Sequence, residues 1–397
     1  LAFRRVGDIQ QLLGRLEAAD DAYRRATERF THLYQTGDEP ARYAAGLAGV
    51  YNERSRLAQD RGNLQSAVQE TRRALELLTE DGKAVSDEAT IRFELARSYQ
   101  QLGFLDLLRR FGPDRGPDDN EKDTDFGAKR TEQALALLKQ LAAEDPDNGE
   151  YRLLMARCYG HLWGASRLAG HAEPQKAYAE AAMRILEELV DDFPSNPQYQ
   201  AELAVTSAIL SDASQGDRDK GDLESALQRM ERGVTLAEKL SQAYPDVPNY
   251  RMALTMCRLG LAGRLWEAER YDEATAQAIQ AVELGRTLRQ DFPAGRARTV
   301  LGRALHTVVN IYDLRNESAR MRPFLEELIA LESARRTAMQ RRRMFRGSFP
   351  TLIGCSPTCS KSRASRPRRP KQRRRRPNSS RSFTNVPAAS SSGRSTA

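Results

Sequence analysis

Apolar residues along most of this chain recur at steps of three and four residues. One example is YRLLMARCYGHLWGASRLAG at 151–170, which is followed by a polar turn and then by AYAEAAMRILEELVDDFP at 177–194. Steps of three and four residues place the apolar side chains on one face of an α-helix. The pattern therefore predicts pairs of amphipathic helices rather than strands.

Prolines mark the ends of successive predicted helix pairs. Pro146, Pro194, Pro245 and Pro293 recur at an interval of roughly 50 residues. Proline ends a helix because it lacks the backbone N–H and forces the preceding residue out of helical conformation. Sixteen positions after each proline comes an apolar residue, in turn Leu162, Leu210, Leu261 and Val309. The shared position predicts that these side chains are buried where helices meet.

The first hundred residues show the same period through glycines. The interval from Gly14 to Gly62 equals that from Pro146 to Pro194, and Gly103 ends a third segment of this kind, RFELARSYQQLG. Internal repetition at a fixed period is typical of proteins built from stacked structural units. We therefore predict a helical repeat array over 1–334 with an insertion loop at 112–127.

The order of small and aromatic residues in the first unit resembles a known repeat. Gly14, Ala19, Tyr23 and Ala26 have the spacing found in the tetratricopeptide repeat, and ERYDEATAQAIQA at 269–281 opens a second helix in the same way. The tetratricopeptide repeat is a helix–turn–helix unit of about 34 residues, so the longer period of this chain implies longer helices or turns. The resemblance implies an all-α, right-handed α-solenoid of about seven tetratricopeptide-like helix pairs.

A narrower resemblance comes from DFP followed by a segment of the form Y-R/Q-x-x-L-A, together with RRVGDI and AYRRA near the start. These features are similar to the repeat region of serine/threonine kinases from planctomycete-type bacteria. In those proteins a kinase domain, and often one membrane span, precede the repeats. The resemblance implies that this chain is the downstream portion of a longer bacterial protein and begins inside the first helix of a repeat.

The residues themselves do not predict catalysis. DFG at 125–127 matches a kinase motif, but kinases also need a glycine-rich loop, a strand lysine and an H-R-D loop, and the sequence contains none of these. The histidines lack the four-residue spacing of a helical zinc site. Cys158 and Cys257 occupy the same position relative to a repeat proline, which indicates buried packing positions. We therefore predict a chain that is not an enzyme and has no cofactor, no metal site and no small-molecule substrate.

An interaction surface is the remaining functional candidate. In stacked helix pairs the first helix of each unit lines a concave groove, which commonly holds peptides or partner helices. By the tetratricopeptide resemblance, positions three and six before each turn glycine point into that groove. They are Asp8, Gln11, Arg56, Gln59, Arg97 and Gln100. A groove that holds a protein or peptide is one interpretation of these residues, and an ordinary polar helix face is the other.

Charge divides the chain into two parts. Residues 335–397 contain 18 Lys or Arg and no Asp or Glu, which leaves 44 basic and 54 acidic residues in 1–334, a net charge of −10. The overall charge of +8 therefore describes neither part. The segment SRASRPRRPKQRRRRPNSSRS at 362–382 is rich in arginine and proline and poor in apolar residues, which predicts disorder.

Three interpretations of the basic tail stay open. It is a disordered tail, an arm that binds nucleic acid through phosphate contacts, or a segment translated out of frame after the repeat pattern ends near residue 338. The sequence as a whole favours a non-catalytic scaffold that forms the sensor or recruitment arm of a larger serine/threonine kinase. The alternatives are a stand-alone tetratricopeptide adaptor and a nucleic-acid-binding protein that acts through its tail. No apolar run is long enough to span a bilayer, so we expect a cytoplasmic chain, or one tethered to a membrane through a region outside this sequence.

Overall fold

The fold consists of α-helices that pack in chain order. The structure is a computed structural model that describes residues 2–80, 83–111, 125, 127–210, 220–293 and 295–347. The helices are α1 (Ala2–Leu12), α2 (Leu16–Thr36), α3 (Pro40–Asp60), α4 (Leu64–Leu78), α5 (Ala89–Phe111), α6 (Ala128–Glu144), α7 (Gly149–Ala169), α8 (Ala172–Asp192), α9 (Pro197–Leu210), α10 (Lys220–Ala243), α11 (Pro248–Glu267), α12 (Tyr271–Asp291), α13 (Gly295–Leu314) and α14 (Ser318–Gly347). Two short strands, β1 (Thr79–Glu80) and β2 (Lys83–Ala84), form an antiparallel ribbon between α4 and α5.

The helices form two layers, with the odd-numbered helices inside. Each helix up to α13 packs against the next, and α13 and α14 share one apolar cluster. Successive odd-numbered helices also contact one another from α1 to α13, whereas successive even-numbered helices among the described residues make no comparable contacts. The stack therefore curves so that the odd-numbered helices line its inner face. This arrangement confirms the prediction of an all-α solenoid of seven helix pairs.

The four repeat prolines follow the ends of four second helices, as predicted. α6, α8, α10 and α12 each end two residues before their proline, at Glu144, Asp192, Ala243 and Asp291. The next helix begins three residues after Pro146, Pro194 and Pro245, and two residues after Pro293. The turn at Pro293 is thus one residue shorter than the other three.

The shorter turn changes which residue of α13 is buried. Leu162, Leu210 and Leu261 are buried as predicted, with 2%, 6% and 5% of their surface exposed. The prediction for Val309 is wrong, because Val309 is only half-buried and the preceding Val308 is fully buried. The turn before α13 is one residue shorter than the others. The buried residue of α13 therefore lies fifteen positions after its proline, whereas in the other three units it lies sixteen positions after the proline.

An ion pair, which we call the arginine tie, joins the two helices of several units. In each case an arginine three residues into the first helix contacts the carboxylate that ends the second helix. The ties are Arg92 Nη1 to Glu144 Oε1 at 2.7 Å, Arg152 Nη1 to Asp192 Oδ2 at 2.5 Å, and Arg251 Nη1 to Asp291 Oδ2 at 2.5 Å. A carboxylate at a helix C-terminus is unfavourable beside the negative end of the helix dipole. The guanidinium offsets that repulsion and fixes the two helix ends together.

The unit with α9 and α10 lacks the arginine tie. Gln200 stands where the three tied units have arginine, and its Nε2 donates to the Pro194 carbonyl oxygen at 2.6 Å. Ala243 ends α10 where those three units have a carboxylate. Near the helix ends of this unit, Leu240 of α10 and Ala201 of α9 belong to one apolar cluster with Tyr250 of α11. The Tyr250 ring packs edge-on against Tyr244 with a centroid distance of 5.6 Å.

Several sequence predictions fall outside the described residues. The insertion loop predicted at 112–127 is described only at Asp125 and Gly127. The chain divides into two compact units, residues 1–341 and 342–397, and the structure describes the second only over 342–347. The domain boundary predicted between 334 and 335 remains a prediction. Among the described helices, none is both long and apolar enough to cross a membrane.

Candidate functional site

The predicted groove residues lie on the inner helices α1, α3 and α5, and each forms a hydrogen bond with a neighbouring side chain. Tyr23 Oη on α2 lies 2.9 Å from both Asp8 Oδ1 and Gln11 Oε1. Gln11 Nε2 in turn donates to Asp60 Oδ2 at 2.7 Å. Tyr23 is fully buried, and a Cβ added at Gly7 would lie 2.3 Å from its ring, so α1 passes directly over it. The buried Tyr23 hydroxyl therefore contacts Asp8 and Gln11, two of the predicted groove residues, and positions them.

Glu53 is the central acid of this surface. Arg56 Nη1 donates to Glu53 Oε2 at 2.9 Å, Arg97 Nη2 donates to Glu53 Oε1, and Arg4 Nη2 lies 3.7 Å from the same oxygen. Burial by itself would raise the pKa of Glu53. The charges of Arg56, Arg97 and Arg4 outweigh burial and lower the pKa to about 2. Glu53 is therefore fully ionised at neutral pH and ties α1, α3 and α5 together.

Glu94 is a second acid one helix further along. Arg97 Nη1 lies 3.0 Å from both Glu94 carboxylate oxygens, and Arg4 Nη2 lies 3.3 Å from Oε1. Asn52 Nδ2 donates to Glu94 Oε2 at 3.2 Å, and Ser98 Oγ donates to Asn52 Oδ1 at 3.0 Å. We call these residues the inner-face network and include in it the hydrogen-bonded group of Asp8, Gln11 and Tyr23, because burial and the charge of Glu53 raise the pKa values of Asp8 and Tyr23. Its members are Arg4, Asp8, Gln11, Tyr23, Asn52, Glu53, Arg56, Glu94, Arg97 and Ser98.

The arginines of the inner-face network differ in exposure. The Arg97 and Arg4 side chains are 15% and 21% exposed, whereas that of Arg56 is 48% exposed. Arg97 and Arg4 each contact two carboxylates and are largely buried, so their main role is to stabilise the fold. A half-exposed guanidinium that is bonded to Glu53 through Nη1 has further N–H donors. Arg56 is thus the cation of the network best placed to contact a partner.

The charge balance also acts on Asp8. Burial, and next the charge of Glu53, raise the pKa of Asp8 above its ordinary value, although the Tyr23 hydroxyl and two arginines oppose the shift. The pKa of Tyr23 is raised as well, first by burial and then by the charges of Glu53 and Asp8. The Tyr23 hydroxyl consequently keeps its proton and acts as a hydrogen-bond donor to this surface.

The last predicted groove residues extend the polar surface to α7. Gln101 Nε2 donates to Gln59 Oε1 at 3.1 Å, and Gln100 Nε2 lies 3.0 Å from Nδ1 of His161. The His161 ring stacks on Phe104 with a centroid distance of 4.4 Å. Burial, followed by the nearby charge of Arg157, lowers the pKa of His161 to about 3. His161 is therefore a neutral ring that continues the inner face without adding charge.

The six predicted residues lie on the inner helices α1, α3 and α5, with Gln100 buried, and they have partners that were not predicted from the sequence. Glu53, Glu94 and Arg4 were not singled out, and Tyr23 was singled out only for the repeat spacing. A signal was present, because Glu-x-x-Arg occurs as Glu53 with Arg56 and again one unit later as Glu94 with Arg97. The interval between the two pairs equals the interval from Gly62 to Gly103. In these two units, a Glu-x-x-Arg pair that recurs at the same interval as the turn glycine lies on the inner face.

Other sequence motifs have structural roles in the described residues. Asp125, the first residue of DFG, accepts a hydrogen bond from the Lys129 backbone N–H at 2.9 Å and so caps the start of α6. Cys158 and Cys257 are buried as predicted. Burial raises the pKa of both thiols, that of Cys257 to about 12. Cys355 and Cys359 lie outside the described residues.

Comparison with known proteins identifies the repeat type in part of the chain. Residues 125–161, which include α6 and the first part of α7, match the family model of the tetratricopeptide repeat. No curated protein matches the chain.

Several solved structures are similar to the chain. BtubC from P. vanneervenii is 18% identical, with a TM-score of 0.44, over 69% of this chain and 92% of that one. A Rap protein complexed with Competence and Sporulation Factor is 13% identical, with a TM-score of 0.49, over 84% of this chain and 85% of that one. The S. pombe nuclear import adaptor Nro1 is 12% identical, with a TM-score of 0.43, over 74% of this chain and 96% of that one.

Proposed function

We propose that this chain is a non-catalytic protein–protein interaction scaffold whose inner face holds a peptide or helix of a partner protein. The observation that supports it most directly is the half-exposed Arg56, held in place by the buried Glu53 at the centre of the inner-face network. A side chain that is ordered before binding loses little conformational entropy when a partner arrives. Arg56 would pair with an acidic side chain of the partner.

Charge reversal at Arg56 tests this function. We expect Arg56→Glu to abolish or strongly weaken capture of the partner from lysate, because the new carboxylate would face both the partner and Glu53. Arg42→Glu is the matched control, since Arg42 lies on the same helix, is 68% exposed and pairs with its near neighbour Glu39. Equal partner capture by both variants would contradict a role for the groove, provided that both keep the parent helical signal.

We further propose that the scaffold belongs to a larger serine/threonine kinase and acts as its sensor or recruitment arm. The support is the sequence resemblance given by DFP and the Y-R/Q-x-x-L-A segment. The alternative is a stand-alone tetratricopeptide adaptor. An open reading frame upstream of this chain that encodes a glycine-rich loop and H-R-D supports the kinase, and a stop codon followed by a start codon supports the adaptor.

Binding of nucleic acid is a separate candidate function. It is favoured by the 18 basic residues of 335–397, which have no acidic residue among them. Phosphate contacts of this kind weaken steeply with added salt because bound counterions are released on association. We propose a cytoplasmic location for either function, or tethering to a membrane through a preceding region if the kinase assignment holds.

A further inference from the structure

A cavity lies between the turns of the last two helix pairs. Its volume is about 700 Å³, and its lining comes from the end of α11, the start of α12 and the segment that joins α13 to α14. The lining consists of two aromatic residues, one leucine, four carboxylates and two arginines. We call it the turn cavity. None of its lining residues belongs to the inner-face network, so it is a surface distinct from the groove proposed above.

Two aromatic rings of the turn cavity pack against each other. The ring centroids of Trp266 and Tyr271 lie 4.7 Å apart at an interplanar angle of 59°. Tyr271 is 43% exposed and Trp266 is half-buried, while Leu314 of the same lining is 64% exposed. The faces of Trp and Tyr rings attract cations, and arginine more often than lysine. The turn cavity therefore offers a surface that suits a flat cation.

The two arginines of the turn cavity are already paired with carboxylates of its lining. Arg270 Nε and Nη2 donate to the two carboxylate oxygens of Glu273 at 2.7 and 2.6 Å. Arg315 Nη1 donates to Asp272 Oδ1 at 2.8 Å, and its Nε donates to Glu317 Oε1 at 2.6 Å. Three of the four carboxylates thus have an arginine partner within the cavity.

Glu269 is the fourth carboxylate, and among the described residues it makes no ion pair. Its backbone is left-handed, with φ 60°, and has the turn hydrogen bonds found at Gly14, Gly62 and Gly170. A side chain in this conformation destabilises a fold, whereas glycine adopts it freely. Residues held in such strained conformations cluster at binding and catalytic sites. Together with its place beside the aromatic rings, this makes Glu269 the group of the cavity that awaits a cation.

We propose that the turn cavity binds one arginine side chain from an extended segment of a partner protein. The guanidinium would lie against the Trp266 and Tyr271 rings and donate to the Glu269 carboxylate. Arginine fits because its planar fork pairs with a carboxylate through two N–H groups and its flat face stacks on aromatic rings, whereas lysine is a compact point charge. The excess of carboxylates over arginines in the lining favours a cationic occupant.

The probe is an acetylated and amidated pentapeptide, Gly-Gly-Arg-Gly-Gly, added to the full chain. Its control carries citrulline, which has the shape of arginine without the charge. Binding is followed by tryptophan fluorescence, because the chain has two tryptophans and Trp163 is buried on α7, so the change reports on Trp266. We expect a saturable change with the arginine peptide and about tenfold weaker binding of the citrulline peptide.

Two glycine substitutions separate binding from folding. Glu269→Gly removes the carboxylate and relieves the left-handed backbone, so we expect a higher Tm and about fivefold or more weaker binding of the arginine peptide. Asn316→Gly is the matched control, since Asn316 has φ 55° at the equivalent turn after α13 and lies outside the lining of the cavity. It should raise the Tm and leave peptide binding unchanged.

Equal binding of the arginine and citrulline peptides would overturn the proposal, and so would unchanged binding in Glu269→Gly. A lysine peptide that binds as tightly as the arginine peptide would overturn the assignment to arginine. Binding that tightens on deletion of 348–397 would identify the occupant as the chain's own arginines rather than a partner's. Arg56→Glu leaves the lining of the turn cavity intact and should bind the peptide as the parent chain does, so failure of the groove is distinguishable from failure of this site.

Discussion

Arg296 and Asp60 form an ion pair, with Nη1 3.1 Å from Oδ1, although 236 residues separate them in the chain. Arg296 lies on α13, and Asp60 ends α3 and also accepts from Gln11 of α1. A Cβ added at Gly14 would lie 2.8 Å from the Phe292 ring, and Leu13 packs against the cluster around Tyr250. The stack therefore curves far enough for α13, the first helix of the last pair, to meet the turn between α1 and α2. We call this group of contacts the closure.

The closure can be tested at Gly14, because Gly62 offers the same backbone without the contact. Alanine in left-handed conformation costs roughly 1–2 kcal/mol of unfolding free energy at either glycine. Gly14→Ala also forces its methyl group against Phe292, whereas a Cβ at Gly62 meets nothing within 4 Å. We expect Gly14→Ala to lose about 1–3 kcal/mol more than Gly62→Ala in urea unfolding. Equal losses for the two variants would mean that the closure contributes nothing to stability.

Glu53 should stabilise the protein only above acidic pH. Its pKa of about 2 in the folded protein lies below the ordinary value near 4.3, so the unfolded chain takes up the proton first as pH falls. Its contribution is complete above about pH 5 and is lost as pH falls towards 2. We expect Glu53→Gln to cost about 3–5 kcal/mol at pH 7, because it removes one partner of a buried ion-pair group.

The measurement is the difference in unfolding free energy between the parent chain and Glu53→Gln, taken from pH 7 to pH 3.5. The difference should narrow as pH falls. Glu28→Gln is the control, since Glu28 is 63% exposed in an i,i+4 pair with Arg24 and should change stability by well under about 1 kcal/mol. A gap for Glu53→Gln that stays constant over this pH range would show that its charge is not what stabilises the network.

Leu210 and its neighbour Ile209 separate a buried from an exposed position on one helix. Leu210 is 6% exposed and packs with Trp163 and Ala182, whereas Ile209 is 40% exposed. We expect Leu210→Ala to cost about 2–5 kcal/mol, from lost burial and the cavity left behind. Ile209→Ala should cost clearly less. Since each unit contacts its neighbours, hydrogen exchange should show the loss concentrated in α7 to α9, and an equal loss for both variants would argue against the described packing.

The missing arginine tie can be built into the α9–α10 unit. Gln200→Arg and Ala243→Asp together reproduce the pair that Arg152 makes with Asp192 and Arg251 makes with Asp291. Partly exposed ion pairs contribute roughly 0.2–1 kcal/mol. We expect the double variant to be more stable than the sum of the single variants by about 0.5 kcal/mol. A double-mutant cycle in urea unfolding measures this coupling free energy. A coupling of zero would show that the arginine tie forms in the folded protein without stabilising it.

Deletion of 348–397 should leave the helical body intact. α14 continues to Gly347, so a cut at 348 removes no described helix. We expect an almost unchanged total helical circular dichroism signal and unchanged capture of a groove partner. If the tail binds nucleic acid, that binding should disappear on deletion and should fall steeply with salt in the parent chain. Loss of every partner on deletion would favour the tail over the groove as the interaction site.

The sequence determined the units of this protein because each unit is specified by short-range chemistry. Pro146, Pro194 and Pro245 end helices through their own missing N–H, and helix periodicity selects Leu162, Leu210 and Leu261 as core residues. The left-handed conformation at Gly14 and Gly62 follows from the lack of a Cβ. Each of these choices depends on residues within one or two helical turns, so the linear pattern contains them.

The tertiary structure determined the features that depend on contacts between residues far apart in the sequence. The tetratricopeptide resemblance pointed to Arg56 and Arg97, but only the packed helices bring Glu53 between them and lower its pKa. The closure between Asp60 and Arg296 depends on the rotation added at every unit, a small angle that accumulates over the stack and that no local pattern records. The burial of Val308 rather than Val309 also depends on packing between helices. Because the turn before α13 is one residue shorter, the whole of α13 is rotated relative to the helices it contacts.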